Sequence, residues 1–190
     1  PQNSKNMNWL MAYREDIRRH TNQGTNGGWL SHMLTQPGLW ALLQYRLAST
    51  IYRSAMRSIL KRPFLLVMTV WQKLIEALTG IRLPHTATIG AGLCVGNAGN
   101  IFLNDNVVIG INCKLSYGVA IVLSGRGEQR GVPVIGDRVC FGEYAIVAGK
   151  IRVGDDAVIG ANSLVISNIP DGCTVTGVPA EIVGGNGSRG

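Results

Sequence analysis

Hydrophobic and polar positions follow two different rhythms along this chain. Up to residue 80 the spacing is three and four. Trp9, Leu10, Tyr13 and Ile17 mark one amphipathic helix, capped by Asn8 and broken by Gly24, Gly27 and Gly28. Leu39, Leu42, Leu43, Tyr45, Leu47, Ile51 and Tyr52 mark a second, starting just after Pro37-Gly38. A third is expected from about Pro63 to Leu78, ended by Gly80. Trp29, Trp40 and Trp71 read as core anchors of this layer rather than as a stacking platform.

After Gly80 the spacing becomes six. Ile89, Val95, Ile101, Val107, Cys113 and Val119 are all apolar, and Ile135, Phe141, Val147, Val153, Ile159 and Val165 resume the beat. Glycine often follows the periodic residue, as in Ile89-Gly90, Phe141-Gly142 and Ile159-Gly160. A period of six is neither helical nor a two-residue alternation. It predicts stacked coils, a parallel β-helix, with one apolar side chain per six residues pointing into a narrow prism. The adjacent glycine or asparagine permits the positive φ that turns each corner. The expected fold is thus mainly β, with an N-terminal α-helical domain over 1–80, the repeat unit over 81–184 and a flexible tail over 185–190. The beat lapses in VLSGRGEQRGVP (122–133), which is expected to project as a loop, the place where repeat scaffolds carry binding.

Composition adds two constraints. With 190 residues, 46% hydrophobic and 15% charged, the chain is long enough for a real core and is globular rather than disordered. Its net charge of +7 resides wholly in the first 80 residues, where ten cations face Glu15, Asp16 and Glu76. Such a basic layer reads either as solvated helix faces or as a dock for an anionic surface, including peripheral contact with a membrane. No aromatic interleaving points to nucleic acid. The run PFLLVMTVW (63–71) is too short to span a bilayer.

Cys94, Cys113, Cys140 and Cys173 are scattered, with no C-x-x-C and no histidine at metal spacing. That argues against zinc and against a disulfide framework, and for a reducing, cytoplasmic setting. No signal-peptide pattern opens the sequence, and Met7 reads as the natural start.

The hexad run, the segment GIRLPHTATIGAG, the loop after GVAIVLSG, then VIGDRVCFG, IGANSLV and GVPAEIV resemble the serine acetyltransferase group of hexapeptide-repeat acyltransferases over residues 35–184. The resemblance implies a left-handed coil, trimers or hexamers, and an acetyl-CoA groove between neighbouring coils, with no metal. The helices resemble most the polysaccharide-associated relatives, which modify sugar hydroxyls. The group's Asp-His pair, whose histidine is the general base, falls on Gly96-Asn97; the aspartate supporting it falls on Arg82. A second histidine, in an Arg-His-Pro stretch closing the loop, falls on Val132, and an acceptor-site glutamate falls on Asp105. Asn97 has an amide, which orients but does not accept a proton near neutral pH.

Positions for the acyl carrier match better. Gly160 and Ala161 correspond to the wall along the pantetheine arm, and Gly177, Pro179 and Ala180 to the C-terminal loop around the carrier. Glu143 stands where the group has a small residue facing the thioester, and Glu181 where it has a basic one.

Of three histidines, His20 and His32 read as surface or packing residues, while His85 lies at the corner after Arg82. His85 is the candidate base, with Asp105 as its orienter and Asn97 polarising the thioester carbonyl. Tyr117 and Tyr144 are candidates to shape an acceptor pocket, or packing residues. Two functions follow: an acetyl-CoA-dependent O-acetyltransferase acting on a sugar or small metabolite, or an inactive trimeric scaffold or regulatory paralogue.

Overall fold

The computed structural model describes residues 9–21, 36–54, 58–96, 99–185 and 187. Three helices lead: α1 (Trp9–Thr21), α2 (Pro37–Arg53) and α3 (Ser58–Thr79). Short strands follow from Ile81 to Gly184. The third helix starts five residues before the expected Pro63, which is accommodated inside it. Proline there forfeits one bond to the preceding turn, a loss that apolar packing of so long a helix outweighs. Trp40 is 43% exposed, so it is no core anchor, whereas Trp71 packs against the core and Trp29 lies outside the described residues. Asn8, His32 and Gly24, Gly27 and Gly28 lie outside them too.

The strands form three sheets in which each strand pairs, in parallel, with the third one along the chain, until the third sheet closes with Thr174–Gly177 on Val158–Ile159 and an antiparallel last strand, Ala180–Gly184. Val134 pairs with Arg152, 18 positions on, and Cys140 pairs with Val158, also 18 on. Each six-residue repeat presents two inward positions rather than the single one expected. Ile101 and Leu103, Val107 and Ile109, Cys113 and Leu115, and Val119 and Ile121 are all buried. Two six-residue series therefore run in parallel, offset by two.

The first coil is longer: Thr88 pairs with Val108 and Cys94 with Lys114, 20 positions apart. The extra two residues fall between Val95 and Ile101. They carry the count of six from one inward column to the other, so the unbroken series from Ile89 to Val119 conceals a change of register. The loop is a larger departure, since Val108 pairs with Val134, 26 positions on. Its neck is closed by reciprocal backbone bonds between Ser124 and Gly131, and Gly127–Gln129 forms a short helical turn at its exposed tip.

The helices cover the open edge of the first coil. Strands Thr88–Ile89 and Cys94–Val95 end their sheets, so one edge of each lacks a strand partner. Unpaired backbone groups there would be costly once buried. Side chains supply the partners. The Tyr45 hydroxyl donates to Ala87 O at 2.9 Å and accepts from Ile89 N at 2.9 Å. Arg46 donates to Ile89 O at 2.8 Å and Gly90 O at 2.7 Å, and Arg19 to Gly92 O at 2.9 Å. His20, expected at a surface or in simple packing, is buried, with Nδ1 2.7 Å from Asp16 O and Nε2 3.1 Å from Val95 N. Nδ1–H donating and Nε2 accepting satisfies both. Arg19, Arg46 and Arg53 thus face backbone carbonyls rather than an anionic surface.

Candidate functional site

Two corners of the stack carry the sequence-predicted residues, and they sit at opposite ends of the sheet that begins with Ile81–Arg82. At one corner, the strand Ile81–Arg82 turns through Pro84, His85 and Thr86. The coil above places Asp105 beside them. The Thr86 hydroxyl donates to Asp105 Oδ1 at 3.0 Å, and Arg82 Nη2 lies 4.0 Å from Oδ2. Arg82 also stacks over the Phe102 ring, 4.9 Å from its centroid. Both charges are well exposed, so the ion pair orients more than it stabilises.

His85 is half-buried and meets Tyr52 of α2 edge-on, ring centroids 5.2 Å apart. Burial lowers its pKa, and the Asp105 charge opposes that partly. The imidazole is therefore biased toward its neutral, proton-accepting form. The partners of Asp105 are Thr86 and Arg82, and its charge acts on His85 through space rather than through a hydrogen bond or ion pair. Tyr52, Thr86 and Arg53, which donates to Ala87 O at 3.1 Å and to Thr88 Oγ1 at 3.1 Å, are not site candidates by sequence, where Tyr52 and Arg53 read only as helix residues. Nothing local marks them, because two come from a helix 30 residues upstream.

The second corner runs along the length of the stack. Asn97, expected to polarise the carbonyl, lies outside the described residues. Above Gly99 come Tyr117, Glu143 and Ala161, one per coil, then Gly177. Main-chain bonds join successive coils: Tyr144 N to Tyr117 O at 2.8 Å, Asn162 N to Glu143 O at 2.8 Å, and Gly160 N to Val175 O at 2.8 Å. Gly177 N donates to Ser163 Oγ at 3.3 Å. Pro179 and Ala180 then turn the chain back into an antiparallel strand, Ala180–Gly184, on Thr174–Gly177. Glu143, Ala161, Gly177 and Pro179 are exposed, and Gly160 and Ala180 are partly so. The expected carrier positions thus share one solvent-facing edge, and His85 lies at the other corner.

Sequence reasoning missed the charged pair that anchors the helices to this edge. Asp16 is fully buried, accepts from Arg46 Nε at 3.0 Å and Nη2 at 3.2 Å, and accepts from Leu93 N at 2.9 Å. Desolvation raises the Asp16 pKa, against the lowering by Arg46 and the Leu93 and Gly92 amides. An arginine in the apolar run LWALLQYRLA was the available signal. Among the described residues, no group of histidine, cysteine or acidic side chains is placed to hold a metal. No helix among them is long and apolar enough to cross a membrane.

The site thus sits on three sheets built from hexads, parallel but for the last strand pair, beneath a helical layer: the architecture of a hexapeptide-repeat protein. No family model matches the chain. It is 34% identical to the serine acetyltransferase of Helicobacter pylori strain J99 over 151 residues, covering 80% of this chain and 84% of that protein. It is 29% identical to that of Mycobacterium tuberculosis strain H37Rv over 176 residues, covering 92% of this chain and 73% of that protein. Among solved structures, the serine acetyltransferase of Brucella abortus strain S19 superposes with a TM-score of 0.81 at 26% identity, covering 95% of this chain and 70% of that one. That of Neisseria gonorrhoeae in complex with serine gives 0.79 at 26%, covering 93% and 69%. The chain belongs to the serine acetyltransferase family, a family of acetyl-CoA-dependent acyltransferases.

Proposed function

We propose that this chain moves the acetyl group of acetyl-CoA onto a hydroxyl of a sugar or small metabolite, and that His85 is the base. The acceptor oxygen attacks the thioester carbonyl as His85 takes its proton. A C–O bond forms, the C–S bond breaks, and the leaving thiolate recovers a proton from the imidazolium. Asn97, with nearby backbone N–H groups, polarises the carbonyl, and proximity supplies much of the rate. Glu143, Gly160, Ala161, Gly177, Pro179 and Ala180 line the path of the carrier.

The observation that carries this reading is the half-buried His85 beside an Asp105 held by Thr86. Because His85 and the edge carrying Glu143 and Ala161 lie at opposite ends of one sheet's strands, the reading requires a groove between two chains. We infer a left-handed prism assembled as a homotrimer, the His85 corner of one copy facing the Asn97 edge of the next. Residues 1–80 form the helical unit, 81–184 the coil and 185–190 a tail. The outer stripe of α3, with Phe64, Val67, Leu74 and Leu78 all more than half exposed, is left for pairing trimers into a hexamer or for peripheral contact with a membrane. Sedimentation and salt-dependent liposome pelleting separate those two, and a cytoplasmic location fits both.

Thermal shift with millimolar coenzyme A and acetyl-CoA is the first test, since a native-state ligand raises stability. No shift overturns the acyltransferase reading. A shift without thioester turnover on any hydroxyl acceptor favours the regulatory paralogue. Unchanged turnover in His85→Ala removes His85. Mixed trimers of His85→Ala and Asn97→Ala chains should regain activity that neither variant has alone, because only a shared groove rebuilds one intact site.

A further inference from the structure

Seven described non-glycine residues have φ near +60°, and they are the corner pieces of the stack: Asn100, Asn106, Asn112, Arg138, Tyr144, Asp156 and Asn162. Tyr144, at +57°, is the one aromatic among them. A bulky side chain in that region is disfavoured, and such a conformation persists where something requires it. The corner itself does not require tyrosine. The residues above and below Tyr144 in the same column are Asn162, Gly118 and Asn100, all common in this backbone region.

The surroundings are shaped around the ring. A Cβ on Gly118 would lie 2.5 Å from Tyr144 Cδ1, and a Cβ on Gly99 would overlap the Tyr117 ring. Each tyrosine thus lies over a glycine of the coil below. The two rings meet edge to face, centroids 5.2 Å apart at 74°. Yet Tyr144 is 49% exposed, so the arrangement does not serve to bury it. Polar groups fringe the rings: Asn100 Nδ2 donates to the Tyr117 hydroxyl at 3.2 Å, and the Glu143 carboxylate is exposed beside them. Ile146, 40% exposed, adds an apolar patch two residues on.

An exposed aromatic pair with an amide, a carboxylate and phenol hydroxyls at its rim matches a ligand that offers a C–H face and a ring of hydroxyls. Phosphate is disfavoured there by Glu143. We propose that Tyr117 and Tyr144 form a stacking platform for a saccharide acceptor, and that Tyr144 is a specificity-determining residue selecting a sugar over a small amino acid. This rests on the acetyltransferase reading and narrows its acceptor to one class.

Binding tests it without thioester chemistry. Titrate neutral and N-acetylated mono- to trisaccharides, and separately L-serine, into wild type and Tyr144→Gly, following ligand-observed saturation-transfer NMR and calorimetry. Glycine adopts the same φ without strain, so the variant keeps the corner. The expected result is saccharide binding by wild type, weakened at least tenfold in Tyr144→Gly, while the coenzyme A thermal shift is retained. Equal saccharide affinity in wild type and variant overturns the proposal, as does binding of L-serine with no saccharide of the panel. A missing coenzyme A shift in wild type with saccharide binding intact defeats the acetyltransferase reading alone.

Discussion

Replacing Arg46 with methionine tests whether the helices clamp the first coil as described. The substitution keeps the stem of the side chain and deletes four polar contacts: two to Asp16, at 3.0 and 3.2 Å, and one each to Ile89 O and Gly90 O, at 2.8 and 2.7 Å. Asp16 is then a fully buried carboxylate held only by backbone amides. Removing one partner of a buried pair costs about 3–5 kcal/mol. For a domain of this size each kcal/mol moves Tm by about 2–4 °C, which gives a fall of roughly 6–20 °C at neutral pH.

The pH dependence identifies the cause. Desolvation already raises the Asp16 pKa, and Arg46 is the largest opposing influence. Without Arg46 the folded pKa rises further above the unfolded value, so the folded state binds the extra proton. The deficit should therefore be largest above the raised folded pKa and shrink as pH falls through it. Thermal melts by circular dichroism, at fixed protein concentration and from pH 5 to 8, read both effects. Asp16→Asn in the Arg46→Met background removes the unpaired charge and should recover part of the loss at pH 7. A Tm within 2 °C of wild type, or a deficit that grows on acidification, would refute the reasoning.

Further outcomes follow from the same geometry. The rate kcat/KM should rise with pH and level off with a midpoint below about 6.5, since burial lowers the His85 pKa, and Asp105→Asn should move the midpoint lower still by removing the opposing charge. The same depression means that stability contributed by His85 is present above about pH 6.5 and lost as pH falls through its folded pKa. Cys113 is fully buried and its thiol is pushed up to about 12, so peptide-mapped labelling at pH 8 should leave it unmodified until denaturant is added. Gly99→Ala places a methyl into the Tyr117 ring at a φ of +126°, and should cost about 1–3 kcal/mol by denaturant titration. An undiminished midpoint would mean that Tyr117 is free to leave its place.

The period of six made the parallel coil legible because it comes from the shape of the prism: each flat face needs inward apolar residues and each corner a permissive backbone. The same regularity hid the two extra residues before Ile101, since a second inward column lies two positions from the first. Ile101, Val107, Cys113 and Val119 fall on one column, whereas Ile89 and Val95 fall on the other. A count that stays in step therefore does not certify the register.

The N-terminal charge shows the opposite kind of illegibility. Ten cations in 80 residues suggest an external anionic partner, yet three of them meet the carbonyls of the first coil. A parallel coil repeats its own hydrogen bonds upward, and its first turn has no coil beneath it to complete them. Something must end the series, and long donors from a helix do so without adding a strand that invites further pairing. Helix cations of this fold therefore count first toward the exposed backbone of the terminal coil, and only the remainder toward any surface outside the molecule. By that reasoning Arg19, Arg46 and Arg53 belong to the architecture that holds the backbone from Ala87 to Gly92 in place.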